Sequence, residues 1–263
     1  MKNIVITGCS SVGNLGYMIA KQIKKQMGDD CRIIAVAVPN SQWCETDLVP
    51  LYPYGIDVCL SCDLSDTASI KNLCDSIKNI VGNDGVLYAL VNCAGMNMNS
   101  WFEDSTVEEF DNLMNVNAKA TYQMTQNLLE ILKGYGQYGG TVLNIVSNAA
   151  QIPMRCSLAY NASKAAAKMI TKQMAHELTK KYGITVFSVS PNKLKGTEMS
   201  KFVDEAIPNM RGWTPEASEK YQNEALTTGV QTDPNTLAEF IAFLLSTKER
   251  HFFLSGCDIE YGA

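Results

Sequence analysis

Three residues in the second half of the chain have side chains that can exchange a proton with a substrate oxygen. Tyr160 and Lys164 lie four residues apart, a spacing that makes them neighbours on one face of a helix. A tyrosine with the ordinary pKa of about 10 is a weak acid or base at neutral pH, and a neighbouring ammonium group favours its phenolate. Ser147 lies just past an apolar run and could hold a carbonyl or alcohol oxygen while Tyr160 exchanges its proton.

The spacing of Tyr160 and Lys164 is not specific by itself. With 11 tyrosines in the chain, about one such pair is expected by chance, and Tyr17 and Lys21 form another. That other pair has no serine at the end of a strand before it, whereas Ser147 precedes Tyr160 in the segment TVLNIVSNAAQIPMRCSLAYNASK. The three residues together therefore predict general acid–base chemistry on a substrate oxygen.

A second candidate site is the segment TGCSSVGNLG at residues 7–16, which directly follows an apolar run. A strand, a tight turn and a helix N-terminus form an anion site, because unpaired backbone N–H groups and the positive end of the helix converge there. The spacing G-x4-G-x2-G matches no established nucleotide-binding pattern. An ordinary turn between a strand and a helix is therefore the alternative to a phosphate loop.

Both candidate sites need a scaffold, and the apolar pattern of the chain predicts one. Short β-rich runs occur at residues 3–7, 31–38, 56–62, 86–93, 141–146, 184–189 and 256–261. Apolar residues of helical period lie between most of these runs, most clearly at 66–81, 162–178 and 237–244. The alternation predicts an α/β fold, a Rossmann-like doubly wound parallel sheet of about seven strands with helices on both faces.

The alternation continues to the end of the sequence, which favours a single domain over residues 1–263. Residues 191–231 are the exception, because they are long, polar and interrupted by Pro208, Pro215 and several glycines. Ligands bind beyond the carboxyl ends of the strands in such sheets. We therefore predict that this segment is a substrate lid, with a merely irregular excursion as the alternative.

Composition and charge restrict the class of partner. A hydrophobic fraction of 46% allows a sizeable core, and a net charge of -5 without long like-charge blocks argues against a nucleic-acid or membrane surface. The chain has neither a signal-peptide core nor an apolar run of the roughly 20 residues that span a bilayer. We expect a cytoplasmic protein with a small-molecule partner and nine reduced cysteines.

Cys59 and Cys62 form a C-x-x-C pair, a spacing that in other proteins belongs to zinc or redox sites. No second pair of cysteine or histidine ligands completes a metal site in the sequence, and residues three apart in a strand face opposite sides. We interpret both cysteines as structural and expect no metal. The two histidines, His176 and His251, have no partner cluster and are expected in ordinary helical or surface positions.

Taken in order along the chain, these motifs resemble those of the short-chain dehydrogenases/reductases over essentially the whole length. The loop at residues 7–16 resembles TGxxxGxG, and NCAG at residues 92–95 resembles NNAG. Asp63 in CDLSD resembles the acidic residue that contacts adenine, with an N-cap of the following helix as its structural alternative. Asn117 in NVNAKA resembles the asparagine of a catalytic tetrad. Ser147 has the family's spacing from the tyrosine of YNASK, a full match to YxASK.

The resemblance implies hydride transfer between a nicotinamide cofactor, NAD or NADP, and a carbonyl or secondary alcohol. It makes Tyr160 the general acid/base, Lys164 the residue that lowers its pKa and binds the nicotinamide ribose, and Ser147 the residue that orients the substrate oxygen. Asn117 would hold a water that links Lys164 to solvent, or would simply pin a helix. The implied cofactor-binding residues are Gly8, Ser10, Ser11, Asn14, Leu15, Gly16, Asp63, Leu64, Asn92, Ala94, Gly95, Tyr160, Lys164 and Thr197.

The glycine loop departs from the family pattern in length. Val12 and Gly13 resemble a two-residue insertion, which puts Asn14 at the middle glycine position. Apart from glycine, asparagine is the residue that best tolerates positive φ. We therefore expect Asn14 to replace the glycine in a remodelled phosphate loop, with Ser10, Ser11 and the N–H of Leu15 as phosphate contacts.

The position that selects the cofactor also departs from the pattern. An aspartate at the end of the second strand would bind the ribose hydroxyls of NAD, and an arginine would accept the phosphate of NADP. Ala37 and Val38 offer neither group, whereas Asn40, Ser41 or Gln42 could supply neutral hydrogen bonds. The preference between NAD and NADP therefore stays open.

The complete set of four residues favours an active alcohol dehydrogenase or ketoreductase. Reduction of 3-oxoacyl thioesters is one variant, and steroid, sugar or polyol substrates are equally allowed. Pro191-Asn192 also replaces the Pro-Gly that follows the sixth strand in the family. The departures at Asn14, Ala37 and Asn192 support a different class, a nucleotide-binding sensor or scaffold without turnover. The resemblance also implies a homodimer or homotetramer packed through the helices that carry Asn117 and Tyr160.

Overall fold

Seven strands form one parallel sheet in the computed structural model, within the described residues 1–39, 55–82, 85–133 and 138–262. The strands are β1 (Lys2–Thr7), β2 (Cys31–Ala37), β3 (Val58–Ser61), β4 (Leu87–Asn92), β5 (Thr141–Ile145), β6 (Thr185–Pro191) and β7 (Asp258–Tyr261). Their order is β3-β2-β1-β4-β5-β6-β7, and every neighbouring pair is parallel. Each predicted apolar run overlaps one of these strands, and the predicted doubly wound sheet is confirmed.

The strand order reverses direction between β1 and β4, which pair with each other in the middle of the sheet. From β1 the chain moves outward to β2 and β3, and it then returns to the other side of β1 through β4. In open parallel sheets a crevice forms at this reversal, beyond the carboxyl ends of the strands. The loops after β1 and β4 therefore border the same crevice.

Helices cover both faces of the sheet. They are α1 (Leu15–Met27), α2 (Thr67–Val81), α3 (Val107–Met114), α4 (Ala120–Asn127), α5 (Leu129–Lys133), α6 (Leu158–Tyr182), α7 (Glu198–Arg211), α8 (Pro215–Glu224), α9 (Pro234–Leu245) and α10 (Lys248–His251). A π-helical turn, Asn115–Lys119, connects α3 to α4. The helices predicted at residues 66–81, 162–178 and 237–244 are confirmed as α2, part of α6 and part of α9.

The core has two layers because side chains alternate along each strand. In β1, Ile4 and Ile6 face the layer of α1 and α9, whereas Val5 faces the layer of α2, α4 and α6. All three side chains are fully buried, which stabilises the fold by roughly 1.5–3 kcal/mol each. Cys59 packs in the first layer and Cys62 in the second, so the predicted opposite orientation of this pair is confirmed.

The predicted lid, residues 191–231, contains α7 and α8. Thr197 begins α7 as its N-cap, and its Oγ1 accepts a hydrogen bond of 3.2 Å from the N–H of Ser200. Thr214 caps α8 in the same way, and Pro215 occupies the first turn, where its missing N–H has no helical partner to lose. The segment is therefore largely helical, and its function as a lid stays a prediction.

One histidine lies on an exposed helix face, and the other lies away from the carboxyl edge of the sheet. His176 is exposed on α6. His251 is fully buried, with its ring nitrogens 2.7 Å from Thr141 Oγ1 and 2.8 Å from the Leu244 carbonyl oxygen. Thr141 is the first residue of β5, so this cluster belongs to the amino edge of the sheet.

In the parts of the chain that the structure describes, no helix has the length and apolar character needed to cross a membrane.

Candidate active site

Tyr160 lies in the first turn of α6, and Lys164 follows it one turn later. Both side chains are buried, and the Lys164 Nζ lies 5.9 Å from the centre of the Tyr160 ring. The predicted placement of the two side chains on one helix face is therefore confirmed. The Lys164 ammonium donates a hydrogen bond of 3.1 Å to the carbonyl oxygen of Ile145, the last residue of β5.

Ser147 lies just beyond β5, at the carboxyl edge of the sheet. Its hydroxyl accepts a hydrogen bond of 3.2 Å from the Ala149 N–H and is also hydrogen-bonded to Tyr160. The strand end and the first turn of α6 thus bring Ser147, Tyr160 and Lys164 together. The sequence pattern predicted this convergence.

Burial dominates the electrostatics of the site. It raises the pKa of Tyr160, and the hydrogen bond from Ser147 lowers that pKa by less. Burial also lowers the pKa of Lys164 to about 8, against a smaller opposing effect of Cys93. The net pKa of Tyr160 is therefore raised and not lowered, because burial outweighs the hydrogen bond from Ser147. The lowering expected from Lys164 stays a prediction.

The side chain of Asn117 connects the loop after β4 to α6. Its Oδ1 accepts a hydrogen bond of 2.9 Å from the Met96 N–H, and its Nδ2 donates to the Met96 carbonyl oxygen and to Ser163 Oγ. The Ser163 hydroxyl in turn donates to the Tyr160 carbonyl oxygen at 2.8 Å. These contacts match the structural alternative for Asn117, and its role in a water relay stays a prediction.

Gly95 lies between the candidate catalytic residues and the start of α7. A Cβ atom at this position would lie 3.3 Å from Asn117 Oδ1 and 3.4 Å from Lys164 Nζ. The methyl carbon Cε of Met199, in the first turn of α7, would lie 3.9 Å away. The absence of a side chain at Gly95 therefore keeps open the space in front of Lys164.

Thr7 and Gly8 close the base of the crevice between β1 and β4. Thr7 Oγ1 accepts hydrogen bonds of 3.0 Å and 2.9 Å from the N–H groups of Cys93 and Ala94. Gly8 has φ +79°, and a Cβ atom there would lie 2.9 Å from the Ala94 backbone. A Cβ at Gly16 would lie 2.6 Å from the Gly8 carbonyl oxygen, so this glycine allows α1 to approach β1 closely. Sequence reasoning missed the linking role of Thr7, although the residue stands beside the first glycine.

Asn14 does not have the predicted positive φ. Its φ is −90° and its ψ is 144°, and it is the N-cap of α1, which begins at Leu15. The expectation that Asn14 adopts the positive φ of the glycine it replaces is wrong, because the lengthened loop reaches the helix in an extended conformation. The first N–H groups of α1, starting with that of Leu15, have no partner within the helix.

The polar side chains of the loop contact protein groups. Ser10 Oγ accepts a hydrogen bond of 3.0 Å from the Val38 N–H, which ties the loop to the end of β2. Ser11 Oγ donates to Glu198 Oε1, and Asn14 Nδ2 donates to Glu198 Oε2 at 3.1 Å. Sequence reasoning missed Glu198, whose only local signal is its place next to Thr197 at the start of α7.

Asp63 and Leu64 lie in the loop that follows β3. The Asp63 carboxylate accepts hydrogen bonds of 2.8 Å and 2.7 Å from the N–H and hydroxyl of Ser65. Asp66, and not Asp63, is the N-cap of α2, so the structural alternative for Asp63 is wrong. Leu64 packs against the core layer of α2.

Asn92 ends β4, and its side chain points toward the neighbouring strand. Its Nδ2 donates a hydrogen bond of 2.8 Å to Asn144 Oδ1 in β5. The predicted contacts of Asn92, Asp63 and Thr197 with a cofactor stay predictions. Asn40, Ser41 and Gln42, which sequence reasoning considered for cofactor selection, lie outside the described residues.

The loop and the crevice fit a dinucleotide phosphate. A Cβ atom at Gly8 or Gly16 would collide with neighbouring backbone, so the two glycines let the loop and the start of α1 pack closely at the base of the crevice. The donors Ser11 and Asn14 hold the carboxylate of Glu198 beside the N-terminus of α1, so an anion already occupies this position. Asn14 and Ser11 would hold the pyrophosphate together with the first N–H groups of α1.

Comparison with known proteins agrees with this arrangement. Residues 2–208 match the family model for short chain dehydrogenase. An uncharacterized oxidoreductase of Schizosaccharomyces pombe is 29% identical over 187 residues, which are 69% of this chain and 61% of that protein. The ketoacyl reductase HetN of a Nostoc species is 26% identical over 248 residues, 93% of this chain and 83% of that protein.

A solved structure shares the fold over nearly the whole chain. It is an actinorhodin polyketide ketoreductase variant with NADPH, and it superposes with a TM-score of 0.85 at 21% identity. The superposition covers 99% of this chain and 96% of that one. At this identity the likeness shows the fold, and the family model over residues 2–208 shows the family. The chain therefore belongs to the short-chain dehydrogenases.

Proposed function

We propose that the protein is an NAD(P)-dependent reductase that acts on the carbonyl group of a small molecule, with 3-oxoacyl thioesters as the substrate class. The observation that carries this proposal is the buried group of Ser147, Tyr160 and Lys164 at the carboxyl end of β5. Ser147 is hydrogen-bonded to Tyr160, so one substrate oxygen can contact both hydroxyl groups. Lys164 lies one helical turn away, beside the open space at Gly95.

In the proposed reaction Tyr160 is the general acid. Burial raises its pKa, so the phenol keeps its proton at neutral pH and can donate it to a carbonyl oxygen. Ser147 orients that oxygen by a hydrogen bond. Lys164 is mostly protonated at neutral pH, because its pKa is about 8, and its ammonium compensates the phenolate that forms. These protonation states supply the proton that reduction of a carbonyl requires.

The cofactor would lie in the crevice between β1 and β4. When bound, its nicotinamide supplies the hydride. The N-terminus of α1 would hold the pyrophosphate, and Lys164 would hold the nicotinamide ribose. The predicted adenine contact, Asp63, follows β3 at the same edge of the sheet.

The proposed substrate class is supported by two similar proteins. One relative is named a ketoacyl reductase, and one structural neighbour is a polyketide ketoreductase. An acyl chain would extend from the reacting carbonyl toward α7, whose Met199 lies near Gly95. Steroid, sugar and polyol substrates belong in the same assay as competing classes.

The test is the oxidation of NADPH or NADH, followed by absorbance at about 340 nm, a property of the cofactor. The carbonyl panel contains acetoacetyl-CoA, a cyclic ketone, a steroid ketone and a keto sugar. The Tyr160→Phe substitution removes the proton donor, so turnover falls roughly 10²–10⁴-fold. Tyr182→Phe at the far end of α6, about 33 Å along the helix, is the matched control and keeps full activity.

Two results would contradict the proposal in different ways. Full activity of Tyr160→Phe would show that another group is the acid. Cofactor binding without turnover of any carbonyl in the panel would favour the alternative, a nucleotide-binding sensor. Separate titrations with NADH and NADPH decide which of the two cofactors the protein prefers.

A further inference from the structure

Cys156 has an unusual backbone conformation close to the candidate acid. Its φ is +62°, and it is the one residue other than glycine with positive φ among residues 1–39, 55–82, 85–133 and 138–262. A side chain at this φ is sterically disfavoured, and such residues persist where surrounding contacts hold them. Cys156 is buried and lies four residues before Tyr160. The question is which contacts hold this turn.

The carbonyl group of Cys156 is held from the loop that follows β4. It accepts hydrogen bonds of 3.1 Å from the Ser100 N–H and 3.1 Å from Asn99 Nδ2. A backbone carbonyl is an acceptor only, so the Asn99 amide must present its NH₂ group here. Two donors from one loop therefore fix the orientation of the Cys156 peptide group.

The same amide also reaches the start of α6. Asn99 Nδ2 lies 3.0 Å from Oγ of Ser157, which is the N-cap of this helix. The Ser157 carbonyl oxygen accepts the Asn161 N–H at 2.9 Å, which closes the first turn around Tyr160. One side chain thus contacts both the strained residue and the cap of the helix that carries the acid.

The other side of the segment between Ser147 and α6 is held independently. Asn161 Nδ2 donates hydrogen bonds of 2.6 Å and 2.7 Å to the carbonyl oxygens of Ala149 and Ile152. The loop that carries Asn99 also packs on the acid directly, through Met96 and Met98 in the cluster of Tyr160. Asn161 lies on α6 beside Tyr160, so its bonds tie the helix to the loop of Ser147. Without the contacts of Asn99, the position of Tyr160 against Ser147 would depend on Asn161 and on this packing, and a loosened Cys156 turn would let the start of α6 shift.

We propose that Asn99 is a positioning residue for Tyr160, which it acts on through the strained turn at Cys156 and the helix cap at Ser157. Its role in catalysis rests on the proposed function, whereas its role in holding the turn does not. The substrate and cofactor need not contact Asn99 for this effect. A glycine at position 156 would adopt the same φ without a steric penalty, so the turn would then depend much less on Asn99.

The kinetic test is a double-mutant cycle in the full chain with the best carbonyl of the panel. Asn99→Ala removes the donor, and kcat falls about ten-fold or more while the Kd of the cofactor changes less than about two-fold. In the Cys156→Gly background the same Asn99→Ala change lowers kcat less than about three-fold. Asn127→Ala is the matched control, because Asn127 Nδ2 also donates to a backbone carbonyl, that of Gln123, on α4. This control keeps full kcat.

A second measurement does not require turnover. In hydrogen–deuterium exchange, Asn99→Ala speeds exchange of the amides in residues 156–162 about ten-fold, and the amides of β6 stay protected. Cys156→Gly restores much of that protection in the double variant. These results support the turn-holding role even if no carbonyl of the panel is reduced, in which case only the proposed function fails. Should Asn99→Ala not fold, Asn99→Asp keeps the size, places an acceptor against the Cys156 carbonyl, and shows the same losses.

Two outcomes would overturn the inference. Unchanged kcat together with unchanged exchange in both Asn99 variants would mean that the turn does not depend on this amide. A loss of kcat that is as large in the Cys156→Gly background as in the wild type would mean that Asn99 acts on the substrate directly.

Discussion

Lys164 is a cation in a place where water cannot solvate it. Only about one-twentieth of its surface is exposed, and its ammonium donates to the Ile145 carbonyl oxygen. Burial lowers its pKa from the ordinary 10.5 to about 8, so the charged form is destabilised by the fold. Because the buried charge of Lys164 destabilises the fold, we expect this residue to have a role in the chemistry of the site.

Replacing Lys164→Met therefore stabilises the protein while it abolishes turnover. Between pH 8 and 10.5 the unfolded chain binds more protons at this site than the folded one, so wild-type stability rises with pH in that window. The free energy of unfolding of Lys164→Met exceeds that of the wild type by roughly 1–3 kcal/mol at pH 7, and the excess shrinks as the pH rises from 8 toward 10.5. Urea unfolding at several pH values measures the difference.

Lys172→Met, at an exposed position of the same helix, is the control for this prediction. At pH 7 its stability differs little from that of the wild type. An excess for Lys164→Met that is equally large at pH 7 and pH 10 would show that lost packing or hydrogen bonding, and not buried charge, determines the effect.

The sequence predicted which residues meet in the site but not how they titrate. Two residues four positions apart on a helix and a serine at a strand end are local patterns, so the convergence of Ser147, Tyr160 and Lys164 could be predicted. The pKa of Tyr160 depends on burial by residues from other parts of the chain, such as Leu113 and Ala149. No local pattern reports that burial, so the net direction of the shift could not be predicted.

At the scale of elements, the glycine loop illustrates the same limit. The order of motifs predicted a loop between β1 and α1 at residues 7–16, and the structure has it there. The conformation of Asn14 was not predictable, because it depends on where α1 begins in a lengthened loop. The contact with Glu198 joins residues 184 positions apart, which no local spacing reveals.

Glu198 links the start of α7 to the glycine loop. Its carboxylate is held by Ser11 Oγ and Asn14 Nδ2, and a Cβ at Gly13 would lie 3.3 Å from its Cγ. The proposed pyrophosphate would use the same donors beside the N-terminus of α1. A cofactor that binds there would displace this carboxylate.

Glu198→Gln therefore strengthens cofactor binding. The neutral amide accepts hydrogen bonds from Ser11 and Asn14 more weakly than the carboxylate does, so it is easier to displace. It also does not repel the phosphates. The Kd of NADH or NADPH therefore falls about three- to ten-fold, or roughly 1 kcal/mol. Fluorescence titration of the reduced cofactor measures the change. Glu205→Gln on the same helix carries the same change of net charge and leaves the Kd unaltered. Weaker binding by Glu198→Gln would mean that the carboxylate helps to shape the loop for the cofactor.

At the scale of the whole molecule, the alternation of strands and helices was enough to predict the sheet. Right-handed crossovers between parallel strands leave few topologies, and the reversal at β1 and β4 then fixes where a crevice forms. Substrate identity could not be predicted in this way. It depends on how α7 and α8 pack over the site, and the composition of residues 191–231 indicates only a polar segment with turns.

The family also implies an oligomer packed through the helices that carry Asn117 and Tyr160. The two helical segments expose large apolar side chains, with Tyr122 on α4 at 43% exposure and Met169 on α6 at 64%. Exposed apolar groups on facing helices are typical of a subunit interface. We expect light scattering after size-exclusion chromatography to give the mass of a dimer or tetramer.

Met169→Glu places a charge in that interface and lowers the measured mass to that of a smaller species, because an unpaired charge is costly to bury between subunits. Circular dichroism establishes that the variant remains folded. Phe253→Glu is the comparison, since Phe253 is also strongly exposed but follows α10, near the last strand. If only Phe253→Glu lowers the mass, the subunits associate through that edge of the sheet instead. If neither substitution changes a dimeric or tetrameric mass, the interface lies on surfaces that the helices of Asn117 and Tyr160 do not form.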